Sequence, residues 1–418
     1  MLDSLKTTLL NKKFYKESDW KKLLYKIKIL SCCPDSLITD RITSYLKDEN
    51  QHIRIEAISA LGKIKSDYSK NILLHYYDQT GWTEKGIIIL GLADRYPKFI
   101  YRLIQQNLDQ GTIYFKKMLL QSLAKINDKM SRTQLNQFLK VPEPRLQVVA
   151  FEELDKLRRL SYSDVKPFLL SGNNILTSYA TSWLTEHLRY ANYEDLITAY
   201  KKFSDPKDFE VLISILEAIN ALKLSKSTAF IDSIYVNTSH PDIAKKAEIG
   251  LSNFDIKTEK RDFSDFSLFV PDSLFYESDP INITINTEKG DIGIELWPAD
   301  SPLTVSHFIY LIRKNYYKNL TFHRVVSDFV IQGGDPSGTG WGGPGYSIPC
   351  EYNDNPFIRG SIGMATAGKD TGGSQFFICH SEQLHLNRRY TNFGIVKSGM
   401  DVVDKITKDD KILNIIIN

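Results

Sequence analysis

The chain has 418 residues, more than one ordinary domain holds, so its length predicts roughly two to three folding units. Hydrophobic residues at 42% and charged residues at 25% are typical of a protein that folds around a core. A net charge of only +3, with no long block of like charges, argues against a nucleic-acid partner. The longest apolar run, 86–93, is far below the ~18 residues that a membrane span needs. We therefore expect neither nucleic-acid binding nor a membrane span.

The four cysteines are too few for a disulfide framework, and no Cys or His pair has the spacing of zinc ligands. We expect buried thiols that pack as small hydrophobic groups, with no metal ion and no cofactor. Residues 1–14 lack the apolar segment and the small-residue cleavage site of a secretory signal, which predicts a cytoplasmic protein. The alternative is the periplasm or cell envelope, if a signal is missing from the sequence.

Helical periodicity dominates the chain as far as about residue 255. Apolar residues recur at steps of three and four, as in Ile53, Ala57, Ala60, Leu61 and Ile64. Helix centres of small and apolar residues recur about every 30 residues, which is the period of stacked helix pairs. These centres are 57–64, 86–93, 118–126, 148–154, 178–184, 215–222 and 247–254.

One of these units carries a family resemblance. The segment DENQHIRIEAISALGKI resembles a HEAT repeat in its Asp48, its Arg54 and the helix core of Ala57, Leu61 and Gly62. The resemblance implies an N-terminal α-solenoid of HEAT-like helix pairs over residues 1–255, because each pair needs its neighbour to cover its apolar face. The concave face of such a stack is expected to bind a client or a protein partner. An irregular helical bundle is the alternative interpretation.

Residues 256–280 separate the helical half from the rest of the chain. The segment is not rich in Gly and Ser, and it contains five aromatic residues. These are Phe263, Phe266, Phe269, Phe275 and Tyr276. Aromatic side chains at this density more often pack on a neighbour than remain solvated, so we expect a docked connector.

From Ile281 onward the pattern changes to short β-branched runs with Gly-rich turns, which indicates a sandwich or a barrel. Two helices interrupt the strands: one predicted over 302–316, with Ser301 as N-cap and Pro302 at the first helical position, and one near 399–406. The Gly-rich segment 338–345 lacks the Lys and Ser or Thr of a phosphate-binding loop, so a nucleotide site is excluded there.

The blocks of this half resemble the cyclophilin family of peptidyl-prolyl isomerases over residues 281–418. The composite pattern is FHR at 322–324, IQGGD at 331–335, GTG at 338–340, GSQFFI at 373–378 and FG at 393–394. The resemblance implies a closed antiparallel β-barrel capped by two helices. The chain as a whole is thus predicted to be a multi-domain α and β protein with domains at 1–255 and 281–418.

The implied reaction is cis–trans isomerisation of X-Pro bonds in peptides and unfolded proteins. Its barrier of ~18–20 kcal/mol is the lost amide resonance, so the enzyme needs a fixed hydrogen-bond donor and no nucleophile, metal or cofactor. By resemblance, Arg324 is that donor, Gln332 holds it, and Phe377 lines the proline pocket. The substrate-binding positions implied by the same resemblance are Phe329, Val330, Ala365, Thr366, Ala367, Gln375, His385, Leu386 and Tyr390.

Four positions depart from the usual family residues. Val330 stands where Met is common, Thr366 where Asn is usual, His385 where many members have Trp, and Tyr390 where many have His. Loss of the Trp is expected to weaken cyclosporin binding without removing the isomerase centre. Segments 343–348 and 389–394 look like those of bacterial cyclophilins. The alternative function is a scaffold that binds proline-containing peptides with little turnover.

Overall fold

A computed structural model describes residues 19–32, 35–205, 208–263 and 279–418 of the chain. The chain divides into two compact units. The first comprises Met1–Arg159, Val325–Phe329 and Asp401–Asp409, and the second comprises Leu160–Arg324, Val330–Met400 and Asp410–Asn418. Each unit therefore combines helices of the first half with segments of the second half. The domain boundaries expected from the sequence, at 255 and 281, stay a prediction.

In the first unit, alternate helices along the chain pack against each other. Its helices are α1 (Trp20–Leu30), α2 (Ser36–Ser44), α3 (Gln51–Lys63), α4 (Asp67–Tyr77), α5 (Trp82–Leu92), α6 (Pro97–Asn107), α7 (Ile113–Ile126), α8 (Lys129–Phe138) and α9 (Pro144–Lys156). Helix α1 packs on α3, α3 on α5, α5 on α7, and α7 on α9. The periodic residues of α3 account for this packing, because Ile53, Ala57, Ala60 and Leu61 are all buried.

The second unit repeats this arrangement with its own helices. They are α10 (Tyr162–Leu169), α11 (Asn174–Glu186), α12 (Tyr193–Tyr200), α13 (Phe209–Ala221), α14 (Thr228–Asn237) and α15 (Pro241–Ser252). Helix α11 packs on α13, and α13 packs on α15. The prolines that open α9 and α15 lie in the first helical turn, where no N–H is needed. The prediction that the first half of the chain is helical is confirmed.

Polar side chains join neighbouring helix pairs at a nearly constant sequence separation. Arg54 donates to Glu84 at 3.0 Å, 30 positions away, and the Tyr96 hydroxyl donates to Asp67 at 2.9 Å, 29 positions away. In the second unit, Lys226 donates to Glu194 at 3.1 Å, 32 positions away. The recurring separation is that of consecutive helix pairs in a helical repeat.

The start of the aromatic connector contacts helix α14. The Tyr235 hydroxyl donates to Glu259 O at 2.5 Å, and the Arg261 guanidinium lies 4.7 Å from the ring centroid of Phe263. The other aromatic residues of the predicted connector lie outside the described residues. They are Phe266, Phe269, Phe275 and Tyr276.

Strands within the described residues 279–418 form an eight-stranded sheet. Its strands are β1 (Ile281–Thr287), β2 (Gly290–Leu296), β3 (Arg324–Val326), β4 (Val330–Gly333), β5 (Ser361–Met364), β6 (Phe376–Cys379), β7 (Asn392–Ser398) and β8 (Ile412–Ile417), in the order β3-β4-β6-β5-β7-β2-β1-β8. Alternate residues of β1 and β2 are buried, as a sheet with one face on the core requires. Thr321 and Lys411 form an isolated antiparallel bridge next to the two edge strands.

Two helices accompany the sheet, α16 (Pro302–Arg313) and α17 (Met400–Val403). Both are shorter than the 302–316 and 399–406 expected from the sequence. Helix α16 ends because Asn315 adopts a left-handed backbone with φ of 55° and the Tyr316 N–H turns back to Leu311 O at 3.0 Å.

The N-terminal cap of α16 also differs from the expectation. Ser301 holds the N-cap position, but its hydroxyl donates backward to Trp297 O at 3.3 Å and makes no capping bond. The Glu351 carboxylate accepts instead from the N–H groups of Leu303 at 3.0 Å and Thr304 at 2.7 Å. A negative group at this end also complements the helix dipole, so a remote carboxylate replaces the local hydroxyl.

Among the helices of the described residues, none is long and apolar enough to cross a membrane.

Candidate active site

Strand pairing brings the first of the predicted site residues together. Gln332 on β4 lies opposite Phe377 on β6, and Phe377 lies opposite Gly363 on β5. Arg324 begins β3 with an exposed side chain, and its Nη1 donates to Gln332 Oε1 at 3.3 Å. The structure therefore places a guanidinium beside the strand pair that carries Phe377.

A chain of amide hydrogen bonds continues from Arg324 into the Gly-rich loop. Gln332 Nε2 donates to Gln375 Oε1 at 3.0 Å, and Gln375 Nε2 donates to the carbonyl oxygens of Gly340 and Gly342, both at 2.9 Å. Because a carbonyl oxygen only accepts, these two contacts fix which end of the Gln375 amide faces Gln332. Gln375 therefore presents its side-chain oxygen to the NH₂ group of Gln332. Gln332 in turn presents its own side-chain oxygen to Arg324.

An apolar floor is built around the ring of Phe377. This ring is nearly buried, with the Tyr390 ring edge-on at 5.8 Å and the Phe357 ring tilted at 5.4 Å. Val330 on β4 and Leu386 in the short 3₁₀ turn Leu384–Leu386 are also buried. The edge-to-face contact between Tyr390 and Phe377 adds an electrostatic attraction to the burial of the ring.

Gly363 makes room for this floor, and sequence reasoning missed it. A Cβ atom at Gly363 would lie 2.4 Å from Phe377 Cζ and 2.6 Å from Phe357 Cε1. No side chain fits at those distances, because carbon atoms in contact are about 3.5–4.0 Å apart. The sequence shows only a glycine in an apolar strand, which is no signal for this role unless the cross-strand register is known.

The segment after β5 is partly committed to hydrogen bonds within the chain. The Ala365 N–H donates to Gln375 O at 2.9 Å, and the Ala367 N–H donates to Thr371 Oγ1 at 2.9 Å. Thr366 between them is half-buried, whereas Ala367 is exposed. The segment follows the strand rather than belonging to it, since β5 ends at Met364.

Two further predicted residues lie in turns. His385 is exposed in the 3₁₀ turn that carries Leu386. Phe329 belongs to the first unit, where its N–H closes a turn by donating to Val326 O at 3.0 Å. Asp328 in this turn has a left-handed backbone with φ of 62°.

The region also contains a buried thiol, that of Cys379. Burial raises the pKa of the Cys379 thiol to about 12, so this thiol on β6 is protonated at neutral pH and is a poor nucleophile. In the part of the chain that the structure describes, no group of three or more His, Cys, Asp or Glu side chains is arranged to hold a metal ion. What the region offers is a charged donor beside an apolar floor.

Comparison with known proteins identifies the family of the C-terminal region. Residues 281–415 match the family described as cyclophilin type peptidyl-prolyl cis-trans isomerase. A peptidyl-prolyl cis-trans isomerase of Synechococcus elongatus is 49% identical over 133 residues, which cover 31% of this chain and 92% of the relative. The chain belongs to the cyclophilin-type peptidyl-prolyl isomerase family. It is an enzyme of that type, and its cyclophilin region lies at the C-terminal end of the sequence.

A second curated relative and one solved structure also match the C-terminal region. A peptidyl-prolyl cis-trans isomerase of Helicobacter pylori is 49% identical over 139 residues, covering 32% of this chain and 85% of the relative. Among solved structures, the cyclophilin type isomerase of Cryptosporidium parvum is 33% identical and has a TM-score of 0.32, with 34% of this chain and 98% of the other covered.

Proposed function

We propose that Arg324 is the catalytic donor of this isomerase and that the Gln332–Gln375 chain keeps it in position. When an X-Pro amide twists, its nitrogen regains a lone pair, and a fixed N–H donor stabilises that charge. A rate gain of about 10⁴–10⁶-fold requires roughly 5.5–8 kcal/mol off the barrier. The observation that carries the proposal is the 3.3 Å bond from Arg324 to Gln332, which holds an exposed guanidinium beside the apolar floor.

The apolar floor is proposed to bind the proline ring. Phe377, Val330 and Leu386 are buried side chains without a charge, and Tyr390 packs edge-on against Phe377. Such a surface desolvates the proline and removes the hydrogen bonds that water makes to the planar amide. Phe329 is proposed to contribute to the same pocket through its place in the family pattern.

Peptide pairing is proposed along the segment after β5. The amide groups of Ala365 and Ala367 already donate within the chain, so a bound peptide would pair through the backbone of Thr366 and through carbonyl groups of the segment. Gln375 supports the segment, since its own carbonyl accepts the Ala365 N–H. The exposed His385, standing where a Trp is common, is proposed to weaken cyclosporin binding.

The helical half is proposed to be a HEAT-like solenoid that binds clients or a protein partner. The alternate packing of α3, α5 and α7 and the side-chain bonds about 30 positions apart support a repeat. For the sheet, the Thr321–Lys411 bridge supports the closed barrel expected from the family. Such a repeat is proposed to bind unfolded clients, whose X-Pro bonds are the substrates of the isomerase.

Catalysed cis–trans exchange on an Ala-Pro-Phe peptide tests the proposal. Arg324→Ala is expected to lower kcat/KM by about 10²-fold or more, the usual cost of one preorganised donor. Arg313→Ala is the matched control, because Arg313 is an exposed arginine at the end of α16. A folded wild-type protein without acceleration would leave a proline-peptide scaffold, and a fully active Arg324→Ala would remove Arg324 from the mechanism.

A further inference from the structure

A buried histidine of helix α3 contacts two segments of the cyclophilin region inside the first unit. His52 Nδ1 lies 3.1 Å from Ser327 Oγ, and His52 Nε2 lies 3.0 Å from Ile406 O. Ser327 and Ile406 belong to Val325–Phe329 and Asp401–Asp409, the two segments that the first unit takes from the second half of the chain. His52 is the side chain that bonds to both.

The bond to Ile406 O fixes the position of one ring proton. A carbonyl oxygen can only accept, so Nε2 carries the proton that is donated to Ile406 O. In the neutral ring Nδ1 is then an acceptor, and the Ser327 hydroxyl donates to it. Trp20 stacks on the ring at a centroid distance of 5.2 Å and an interplanar angle of 18°, which fixes the plane of the ring.

Further side chains of the helices hold the same two segments. The Tyr25 hydroxyl donates to Asp328 Oδ2 at 3.3 Å, next to Ser327 in the turn. On the other segment, the Lys117 ammonium lies 3.9 Å from Asp409 Oδ2 and the Lys408 ammonium lies 5.4 Å from the Tyr114 ring. Helices α1, α3 and α7 therefore all contribute side chains that contact these two segments.

The turn that Ser327 belongs to includes a residue that the proposed function places in the substrate pocket. It is the five-residue link between Arg324 and Val330, it carries Phe329, and it contains the left-handed Asp328. We propose that His52 is a positioning residue, through which the helical half holds the proline-binding turn in its productive conformation. The inference rests on the proposed function, because the role of Phe329 in substrate binding is part of that proposal.

The kinetic signature follows from what Phe329 would do. A pocket wall grips the proline ring equally in the ground state and in the transition state, so its loss raises KM and leaves kcat nearly unchanged. A loss of folded enzyme does the opposite, because it lowers the apparent kcat at constant KM. Removing one hydrogen bond of ordinary strength predicts an increase in KM of about fivefold.

The experiment uses the full chain and the exchange assay on an Ala-Pro-Phe peptide. Ser327→Ala removes the hydroxyl without touching the helix, and Ser327→Thr keeps it. His52→Ala removes the other partner, and His75→Ala is the control because His75 is an exposed histidine on α4. Circular dichroism and a urea midpoint confirm that each variant is folded.

We expect KM to rise about fivefold in Ser327→Ala and at least as much in His52→Ala, which also loses the bond to Ile406 O. The double variant should be no worse than His52→Ala, since both changes remove the same Ser327–His52 bond. Ser327→Thr and His75→Ala should stay within about twofold of the wild type. Unchanged KM in folded Ser327→Ala and His52→Ala overturns the inference. Phe329→Ala, assayed alongside, separates the two proposals. An unchanged KM in that variant refutes the proposed role of Phe329, whereas a raised KM there with an unchanged KM in Ser327→Ala and His52→Ala refutes the inference about His52 alone.

Discussion

A methyl group added at Gly363 tests the geometry of the active-site floor most directly. In Gly363→Ala the new Cβ would lie 2.4 Å from Phe377 Cζ and 2.6 Å from Phe357 Cε1, more than about 1 Å inside normal carbon–carbon contact. Both rings are buried, and they pack on each other at 5.4 Å. One of them has to move, because neither has solvent to swing into.

Gly363→Ala is expected to lower both the free energy of unfolding and kcat/KM. Overpacking a tight core by one methyl group costs about 1–3 kcal/mol. Alanine also reduces the conformational entropy of the unfolded chain, which stabilises the folded state by about 0.4–1 kcal/mol. We therefore expect the free energy of unfolding to fall by about 1–2 kcal/mol in total. A displacement of Phe377 by about 1 Å is the kind of misplacement that reduces catalysis by up to ~10²-fold, so kcat/KM should fall by about tenfold or more.

Urea unfolding and the exchange assay measure these two effects on the same preparation. Gly343→Ala is the matched control, since a Cβ there meets no atom within 4 Å and its backbone is not left-handed. We expect the control to keep its urea midpoint and its activity. If Gly363→Ala has the midpoint and the kcat/KM of the wild type, the placement of the Phe377 ring against β5 is refuted.

Two further predictions follow from polar groups near the site and in α16. Gln375→Glu cannot donate to the carbonyl oxygens of Gly340 and Gly342, so it loses two bonds and faces two repulsive contacts. We expect kcat/KM to fall by about tenfold or more in the exchange assay, and an unchanged value would contradict the amide order. Burial lowers the pKa of His307 to about 3, below the ~6.5 of the unfolded chain, so the unfolded state binds the extra proton between these values. The free energy of unfolding should therefore fall as pH falls from 6.5, by up to about 1.4 kcal/mol per pH unit, and His307→Gln should flatten this slope in urea titrations; equal slopes would count against it.

Local patterns in the sequence were sufficient for the class of each half of the chain. Helical spacing in 53–64 predicts the buried face of α3, and the buried residues of that helix match it. The alternating residues of 281–296 predict the two strands β1 and β2. In both cases the signal lies within a few neighbouring residues, so no knowledge of the remaining chain was needed.

Features that depend on remote residues could not be predicted from the sequence. The cap of α16 comes from Glu351, 47 positions beyond Thr304, and the Ser301 that a local rule selects bonds elsewhere. The contact of His52 with Ser327 spans 275 positions. From its neighbours in the sequence alone, a histidine on a helix is interpreted as a core residue. Its two hydrogen-bond partners become known only from the three-dimensional structure.

The orientation of the amide dipoles in the site could not be predicted from the sequence either. The family pattern identifies Arg324, Gln332 and Gln375, but the direction of each amide dipole is set by the carbonyl oxygens of Gly340 and Gly342 at the far end of the chain of bonds. Those carbonyls orient two neutral amides, and the amide of Gln332 accepts a hydrogen bond from the guanidinium. A carboxylate in the same place would bind the guanidinium more strongly and would neutralise the field that the twisted amide requires. In the proposed mechanism, support by the neutral Gln332 amide leaves the charge of Arg324 available to the twisted amide.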